Sequence, residues 1–171
     1  MAQLEDKKQD TIGGIDFYSG TINGKEVVLT RSGIGKVQAG VTTGLLIANY
    51  KVDAVINSGS AGGIGEGLHV GDVVLSTGAA YHDADATAFG YKPGQLPQQP
   101  QIYAADKDLL EAISKAAEES NLVAREGLIV TGDQFVSSSE KIAAIKEIYP
   151  EALSCEMEGA AIAQVAYQFS V

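Results

Sequence analysis

The chain has 171 residues, 45% of them apolar, and a formal net charge of -10 with two arginines, Arg31 and Arg125. The apolar content suffices for the core of one globular domain over residues 1–171 and argues against a disordered chain. Such an acidic chain repels nucleic acid and anionic membranes, so neither is expected as a partner. A single cysteine, Cys155, excludes an internal disulfide, and the polar N-terminus is unlike a signal peptide, so we expect a cytoplasmic protein.

Two β-type segments flank an Asn-Gly pair near the N-terminus. Residues 15–22 and 26–30 are rich in apolar and β-branched residues, and Asn23 and Gly24 lie between them. This arrangement is typical of a β-hairpin with a type I′ turn. Residues 1–13 carry no pattern of core residues, so we expect an atypical N-terminal segment with no strand before the hairpin.

Glycine-rich turns flank the next predicted helix and strand. Residues 32–36 form one such turn, and apolar residues from Val37 onward recur at helical spacing, which predicts a helix. Residues 51–57 have the pattern of a buried strand and lead into a second glycine-rich turn at residues 58–63. A further strand is predicted at residues 70–76.

Residues 80–103 form a long segment rich in tyrosine, glycine, proline and glutamine. Connections of this length are uncommon and usually serve a function or face a partner. Its His82, Asp83 and Asp85 are residue types that bind metals, yet a lone histidine with two aspartates is more often a hydrogen-bonded cluster. We therefore expect no metal site there.

The C-terminal half alternates helices and strands. Asp106 is predicted to cap an amphipathic helix, and residues 127–130 are predicted to form a strand. Ser137 and Glu140 form a predicted capping box for a second helix, which Pro150 ends. Strands that alternate with helices predict an α/β fold, here a three-layer α/β/α sandwich with a mixed central sheet.

The stretch from residue 153 to residue 163 passes from an apolar run to small helix-forming residues, with Glu156 and Glu158 between them. A strand that leads into a helix at this point places both carboxylates at the helix N-terminus, where they serve as caps. The alternative is a ligand site, because a charged acceptor makes strong hydrogen bonds to a pair of sugar hydroxyls.

Unusual residues follow three predicted strands, at residues 58–63, 131–135 and 156–158. If these strands are parallel, their ends lie at one edge of the sheet and form one pocket. The first turn is neither a P-loop nor a dinucleotide fingerprint, and the scarcity of arginine favours water or a hydroxyl there over an anion. Phe135 either stacks on a base or belongs to the core, and Asp133 either serves the pocket or caps its turn.

Six motifs occur in one order: SGIGK (32–36), NSGSAGG (57–63), YHDAD (81–85), TAFGY (87–91), GDQF (132–135) and EME (156–158). In these motifs the chain resembles the bacterial 5′-methylthioadenosine/S-adenosylhomocysteine nucleosidases of the purine nucleoside phosphorylase superfamily, from about Ile15 to Val171. The resemblance implies a nucleoside phosphorylase-like fold. It also implies hydrolysis of an N-glycosidic bond to give adenine and a 5-thioribose sugar, without a cofactor.

The resemblance further implies roles for individual residues. Glu158 would bind the ribose hydroxyls, Met157 would pack against the sugar, and Phe135 would stack on adenine. The backbone of Val136 would read the base edge, and Ser60 would lie near the nucleophilic water. The complete set of implied substrate-binding residues is Ile34, Ser60, Ala61, Gly62, Phe135, Val136, Glu156, Met157 and Glu158.

The family is homodimeric, so Ala86, Phe89 and Pro97 in the long segment are expected to close the 5′-thio pocket of the partner. The family's water-activating glutamate and leaving-group aspartate have no counterpart in this chain, so we expect a family domain truncated at both ends, with some strands missing. Such a chain would bind adenine nucleosides weakly and turn them over slowly or not at all. A purine nucleoside phosphorylase and a nucleoside-binding protein without catalysis remain the alternatives.

Overall fold

The computed structural model describes residues 3–171. No helix among them has both the length and the apolar character needed to cross a membrane. The strands are β1 (Glu5–Ile12), β2 (Ile15–Ile22), β3 (Lys25–Thr30), β4 (Gly62–Gly63), β5 (Val73–Tyr81), β6 (Tyr103–Ala104), β7 (Ala124–Thr131) and β8 (Ala152–Glu156). The helices are α1 (Lys36–Tyr50), α2 (Lys107–Glu119), α3 (Ser139–Ile148) and α4 (Gly159–Phe169).

The first three strands form an antiparallel sheet of their own. The predicted hairpin is confirmed, because β2 and β3 pair around Asn23 and Gly24, which both have positive φ angles. The prediction that no strand precedes it is wrong, since β1 pairs with β2 around Gly13 and Gly14. These glycines have φ angles of 60° and 79°, as a type I′ turn requires. The residues of β1 are polar because the strand is an exposed edge, so hydrophobic alternation gave no sign of it.

The central sheet has five strands in the order β4-β8-β7-β5-β6. Strands β5, β7 and β8 are parallel, and the short strands β4 and β6 are antiparallel at the two edges. The predicted mixed sheet is therefore confirmed. Strand β5 begins and ends later than the predicted residues 70–76, and β7 is longer than the predicted residues 127–130.

Helices cover both faces of this sheet. On one face, α3 and the residue after it pack against β5, β7 and β8, in a cluster formed by Ala80, Leu128, Val130, Ile145, Tyr149, Ala152 and Cys155. On the other face lies a cluster that joins α4 to the sheet and consists of Ala79, Tyr81, Tyr103 and Ala160. Helix α1 packs against α4 through Ala39, Ala161 and Ile162. This arrangement confirms the predicted three-layer sandwich.

Residues 51–57 do not form the predicted buried strand. They are irregular, and Ile56 is 62% exposed. The edge of β8 that faces away from β7 pairs with the two residues of β4. Within residues 3–171 the apolar run therefore has no neighbouring strand to complete its backbone hydrogen bonds, and β-propensity alone does not hold a strand in place.

The helix caps support one prediction and correct another. The Asp106 carboxylate accepts a hydrogen bond from the Leu109 N–H at 2.9 Å, so the predicted cap of α2 is confirmed. The capping box at Ser137 is wrong, because Ser138 is the N-cap of α3 and accepts from the Lys141 N–H at 3.3 Å. Adjacent serines are equivalent in sequence, and the extended backbone of Ser138 decides which of them caps.

Gly94 fixes the long segment against the sheet. Its N–H donates to the Ala84 carbonyl at 2.9 Å, and a Cβ at this position would overlap both the Tyr149 hydroxyl and the Tyr81 carbonyl oxygen. Gly90 also has a positive φ angle, but a Cβ there would meet open space. Both glycines therefore have a backbone conformation that side chains disfavour, but only Gly94 is closely surrounded by other atoms.

We expect Gly94→Ala to lower the free energy of unfolding by about 1–3 kcal/mol more than Gly90→Ala, because only the first substitution overpacks the interior. Urea denaturation followed by circular dichroism measures both values. Equal losses in the two variants would show that strain at positive φ, rather than contact with Tyr149, requires glycine at position 94.

Candidate functional site

The carboxyl ends of three parallel strands lie together at one edge of the central sheet. Tyr81 is paired with Thr131, and Thr131 with Glu156, so β5, β7 and β8 end side by side. The turn at residues 58–63 reaches the same region, because Gly62 lies opposite Cys155 of β8. The predicted convergence is therefore confirmed for the ends of β7 and β8. It is wrong for a strand end before residue 58, because residues 51–57 form no strand, although the turn after them reaches the same edge.

Glu156 caps helix α4 with its side chain. Its Oε2 accepts from the N–H groups of Glu158 at 2.8 Å and Gly159 at 2.7 Å. Its Oε1 accepts from the Thr131 hydroxyl, and Thr131 Oγ1 in turn accepts from the Ala160 N–H at 2.8 Å. Together Glu156 and Thr131 accept hydrogen bonds from three N–H groups at the start of α4. Both side chains therefore serve to cap the helix.

Glu158 has a different task, although it is the N-cap residue of the same helix. Its side chain makes no capping hydrogen bond. Instead, Oε1 accepts from the Gly35 N–H at 2.7 Å, across 123 residues of sequence. That is the only hydrogen bond of this carboxylate within residues 3–171, so Oε2 is free to accept one from a ligand. The two predicted capping carboxylates thus divide into one that caps and one that is available.

Three charged residues lie beside Glu158 and form what we call the Lys36–Asp83–Asp133 cluster. Lys36 Nζ donates to both oxygens of Asp83 at 2.9 Å and lies 3.7 Å from Asp133 Oδ2. The Asp133 N–H donates to Asp83 at 2.9 Å, and Asp133 Oδ1 accepts from the Lys36 N–H at 2.9 Å. The predicted hydrogen-bonded cluster of His82, Asp83 and Asp85 is therefore wrong. Asp83 bonds Lys36 and Asp133, Asp85 accepts from Thr87, and His82 Nε2 is buried without a partner within residues 3–171.

The surroundings of this cluster shift two pKa values. Burial alone would raise the pKa of Asp83, but hydrogen bonds from Lys36 and from the Asp133 N–H outweigh it and hold the pKa below its usual range. Burial is the main cause that lowers the pKa of His82. At neutral pH Asp83 is consequently charged and His82 is neutral.

The apolar residues predicted to line the pocket follow the strand ends or lie next to Gly35 and Glu158 in sequence. Phe135 follows β7 and is 83% exposed, so a core role for it is wrong. Val136, the next residue, is half-buried and packs against the α3 cluster. Ile34 precedes the Gly35 N–H that binds Glu158 and is exposed, and Met157 is half-buried.

The other predicted residues occupy exposed segments. Ser60 and Ala61 lie in the irregular stretch before β4, and Gly62 opens β4. In the long segment, Phe89 and Pro97 are exposed and Ala86 is half-buried. Their predicted contacts with a second protomer stay a prediction.

Sequence reasoning missed the roles of Lys36 and Thr131. Lys36 stood within a recognised motif, but its partner Asp83 is 47 residues away. Thr131 is fully buried at the last position of a strand and directly precedes glycine. The sequence offers one signal for Thr131: a hydroxyl at the end of a buried strand, where backbone pairing stops, needs a hydrogen-bond partner.

The chain matches the protein family described as the phosphorylase superfamily over residues 2–171, and it belongs to this superfamily. It is 47% identical over 169 residues to the 5′-methylthioadenosine/S-adenosylhomocysteine nucleosidase of Staphylococcus aureus, an alignment that covers 99% of this chain and 74% of that protein. Within the superfamily, the chain belongs to the family of these nucleosidases.

Solved structures agree with this assignment. The Neisseria meningitidis nucleosidase in complex with methylthio-immucillin-A superimposes with a TM-score of 0.97 at 48% identity, covering 99% of this chain and 74% of that one. The Colwellia psychrerythraea nucleosidase in complex with adenine gives 0.95 at 44% identity, covering 99% and 71%. The nucleoside phosphorylase-like fold is confirmed. The expected start of the resemblance at Ile15 is wrong, because the match includes β1.

We expect Thr131→Val to lower the free energy of unfolding by about 1–3 kcal/mol, because it leaves the buried Ala160 N–H without an acceptor and removes one donor to Glu156. Thr131→Ser keeps both hydrogen bonds and is the matched control. Thermal and urea denaturation of both variants test this. A larger loss in the serine variant would show that the methyl group, and not the hydroxyl, is what the strand end requires.

Proposed function

We propose that this protein hydrolyses the N-glycosidic bond of 5′-methylthioadenosine and S-adenosylhomocysteine, releasing adenine and a 5-thioribose sugar. The observation that carries the proposal is the Glu158 carboxylate, held by the Gly35 N–H with its second oxygen free, at the strand-end edge that also bears an exposed Phe135. Membership in the family and the adenine and nucleoside-analogue complexes of two relatives support it.

In the proposed binding mode, Glu158 Oε2 accepts hydrogen bonds from the ribose hydroxyls. A carboxylate suits this task because a charged acceptor binds hydroxyls more strongly than a neutral one. Phe135 stacks on adenine, and its exposure leaves a ring face for the base. Met157 packs against the sugar, and the backbone of Val136 reads the base edge.

Further residues complete the proposed pocket. Ile34 lines it from the start of α1. Ser60, Ala61 and Gly62 lie near the nucleophilic water, where a glycine-rich turn exposes its N–H groups. Glu156 supports the site by fixing the first turn of α4, and thereby the backbone from which Glu158 extends.

Water is favoured over phosphate as the nucleophile. Two lysines lie at this edge: Lys36 is neutralised by Asp83 and Asp133, and Lys141 Nζ donates to Gln134 Oε1 at 3.0 Å. Arg125 lies in the first part of β7, away from the strand end, and donates to the Glu66 carbonyl at 2.7 Å. A phosphate site usually needs cations that are free to bind its oxygens, so this geometry favours hydrolysis over phosphorolysis.

The site offers few groups that could transfer a proton. Four carboxylates at this edge already have partners: Glu156 has α4 and Thr131, Asp83 has Lys36, Asp133 has the start of α1, and Glu158 has Gly35 and, in the proposed binding mode, the ribose hydroxyls. General acid–base catalysis contributes about 10²–10⁴-fold to a rate. The 171-residue chain is therefore proposed to bind nucleosides better than it turns them over.

The proposed assembly is a cytoplasmic homodimer. Ile34, Val37 and Val41 expose an apolar stripe at the start of α1, with 83%, 79% and 51% of their surface accessible. Exposed apolar patches mark contacts between proteins. Ala86, Phe89 and Pro97 of one protomer would close the 5′-thio pocket of the other. The buried, unpaired Cys155 thiol fits a reducing compartment.

The test is adenine release from 5′-methylthioadenosine by the purified chain, with and without phosphate, alongside calorimetric binding of the same nucleoside. We expect saturable binding and slow release of adenine and free sugar that phosphate does not change. A sugar phosphate as product would identify a phosphorylase instead. Release as fast as that of the Staphylococcus aureus relative would show that one of the four engaged carboxylates does transfer a proton.

We expect Glu158→Gln to weaken binding of 5′-methylthioadenosine by about 10- to 100-fold, because it replaces a charged acceptor of hydroxyl hydrogen bonds with a neutral one. The matched control is Glu151→Gln, which changes an exposed carboxylate just before β8. Titration calorimetry gives both dissociation constants. Equal affinities in the two variants would remove Glu158 from the sugar site.

A further inference from the structure

The turn that carries Phe135 has partners in several segments: the Gly132 N–H donates to the Glu156 carbonyl, Lys141 Nζ donates to the Gln134 side chain, and a carboxylate after β5 accepts from the next backbone N–H. Phe135 lies two residues after Asp133, whose N–H donates to Asp83 Oδ2 at 2.9 Å. The Asp133 side chain in turn accepts from the Lys36 N–H at 2.9 Å. Asp83 thus links the segment after β5, the turn after β7 and the start of α1.

The same cluster is joined to the sugar-binding carboxylate. Two consecutive N–H groups at the start of α1 bond different carboxylates, because Gly35 donates to Glu158 and Lys36 donates to Asp133. The side chain of Lys36 then returns to Asp83. A shift of Lys36 would therefore move both the partner of Glu158 and the turn that bears Phe135.

Burial and packing make Asp83 the centre of this arrangement. Its side chain is 12% exposed, against 25% for Lys36 and 49% for Asp133. A Cβ on Gly132 would overlap the His82 ring at 2.4 Å and lie 3.0 Å from Asp83 Cγ, so the glycine lets the turn approach both side chains closely. Lys36 Nζ also lies 5.3 Å from the centroid of the Tyr81 ring. A shielded ion pair of this kind is worth more than an exposed one.

We propose that Asp83 is a positioning residue for nucleoside binding, which sets the turn at residues 132–136 and the start of α1 in the geometry that Phe135 and Glu158 need. The proposal rests on the proposed function and adds a residue that does not touch the nucleoside. Asparagine replaces Asp83 poorly, because it loses the charge and its amide nitrogen faces Lys36 Nζ in either orientation, even when its oxygen still accepts from the Asp133 N–H.

The chain contains no tryptophan, so Phe135→Trp introduces a single fluorescent reporter on the turn itself. In that background, fluorescence anisotropy and acrylamide quenching report the mobility and exposure of the turn without any ligand. Affinity for 5′-methylthioadenosine is measured separately by calorimetry in the chain that keeps Phe135. Asp85→Asn is the matched control, because Asp85 lies in the same segment and accepts only from Thr87.

We expect Asp83→Asn to weaken nucleoside binding by about tenfold or more, to lower the anisotropy of Trp at position 135 and to increase its quenching, since a charged hydrogen-bond acceptor is lost. Asp83→Glu should restore part of each effect, and Asp85→Asn should change none. Lys36→Gln, which keeps one donor to Asp83, should shift the same quantities less and serves if the asparagine variant does not fold.

Two outcomes would overturn the proposal. One is unchanged affinity and anisotropy in folded Asp83→Asn. The other is lower stability with unchanged affinity, which would leave Asp83 a purely structural residue. A third result separates the two proposals. If the unsubstituted chain binds no nucleoside, the proposed function fails, and with it the role of Asp83 in nucleoside binding. If Asp83→Asn still loosens the turn in that case, Asp83 orders the turn for another reason.

Discussion

The capping of helix α4 by Glu156 is the interaction on which the site depends. The first N–H groups of a helix have no partner within it and must find acceptors elsewhere. Glu156 and Thr131, at the ends of two adjacent strands, provide them. Had Glu158 capped its own helix, as N-cap residues commonly do, its carboxylate would not reach Gly35 or a ligand. A structural carboxylate two positions earlier thus makes the second one available.

Carboxylates outnumber lysines at this edge, and hydrogen bonds compensate their charge. The chain carries a net charge of -10, yet the acidic residues of the site each meet an N–H group, a hydroxyl or the Lys36 ammonium. Because Lys36 is paired with two aspartates and the carboxylates outnumber Lys36 and Lys141, the edge has little attraction for an anion. It retains one unoccupied carboxylate oxygen and an exposed aromatic ring, which suit the hydroxyls and the base of an uncharged nucleoside.

Local signals predicted the parts of the fold that local interactions determine. The Asn-Gly hairpin, the Asp106 cap and the transition from β8 to α4 follow from turn chemistry, capping and hydrophobic pattern, and all three occur. Strand β1 was missed because an exposed edge strand needs no apolar residues. The apolar pattern of residues 51–57 predicts a strand, but a strand also requires a neighbour with which to pair.

For the candidate site, the sequence predicted which residues take part but not which of them contact one another. Its motifs named most of the residues that converge at the strand ends, because residue types reveal which groups can accept, donate or stack. Their partners are far apart in sequence: Gly35 and Glu158 by 123 residues, Asp83 and Asp133 by 50. No local pattern encodes such pairs, since each side chain has several possible partners until the sheet sets the distances. Asp83 shows the consequence: it carries no feature in the sequence that separates it from Asp85 two residues later, and only the fold places it beside Lys36 and the Asp133 N–H, where it bonds the turn.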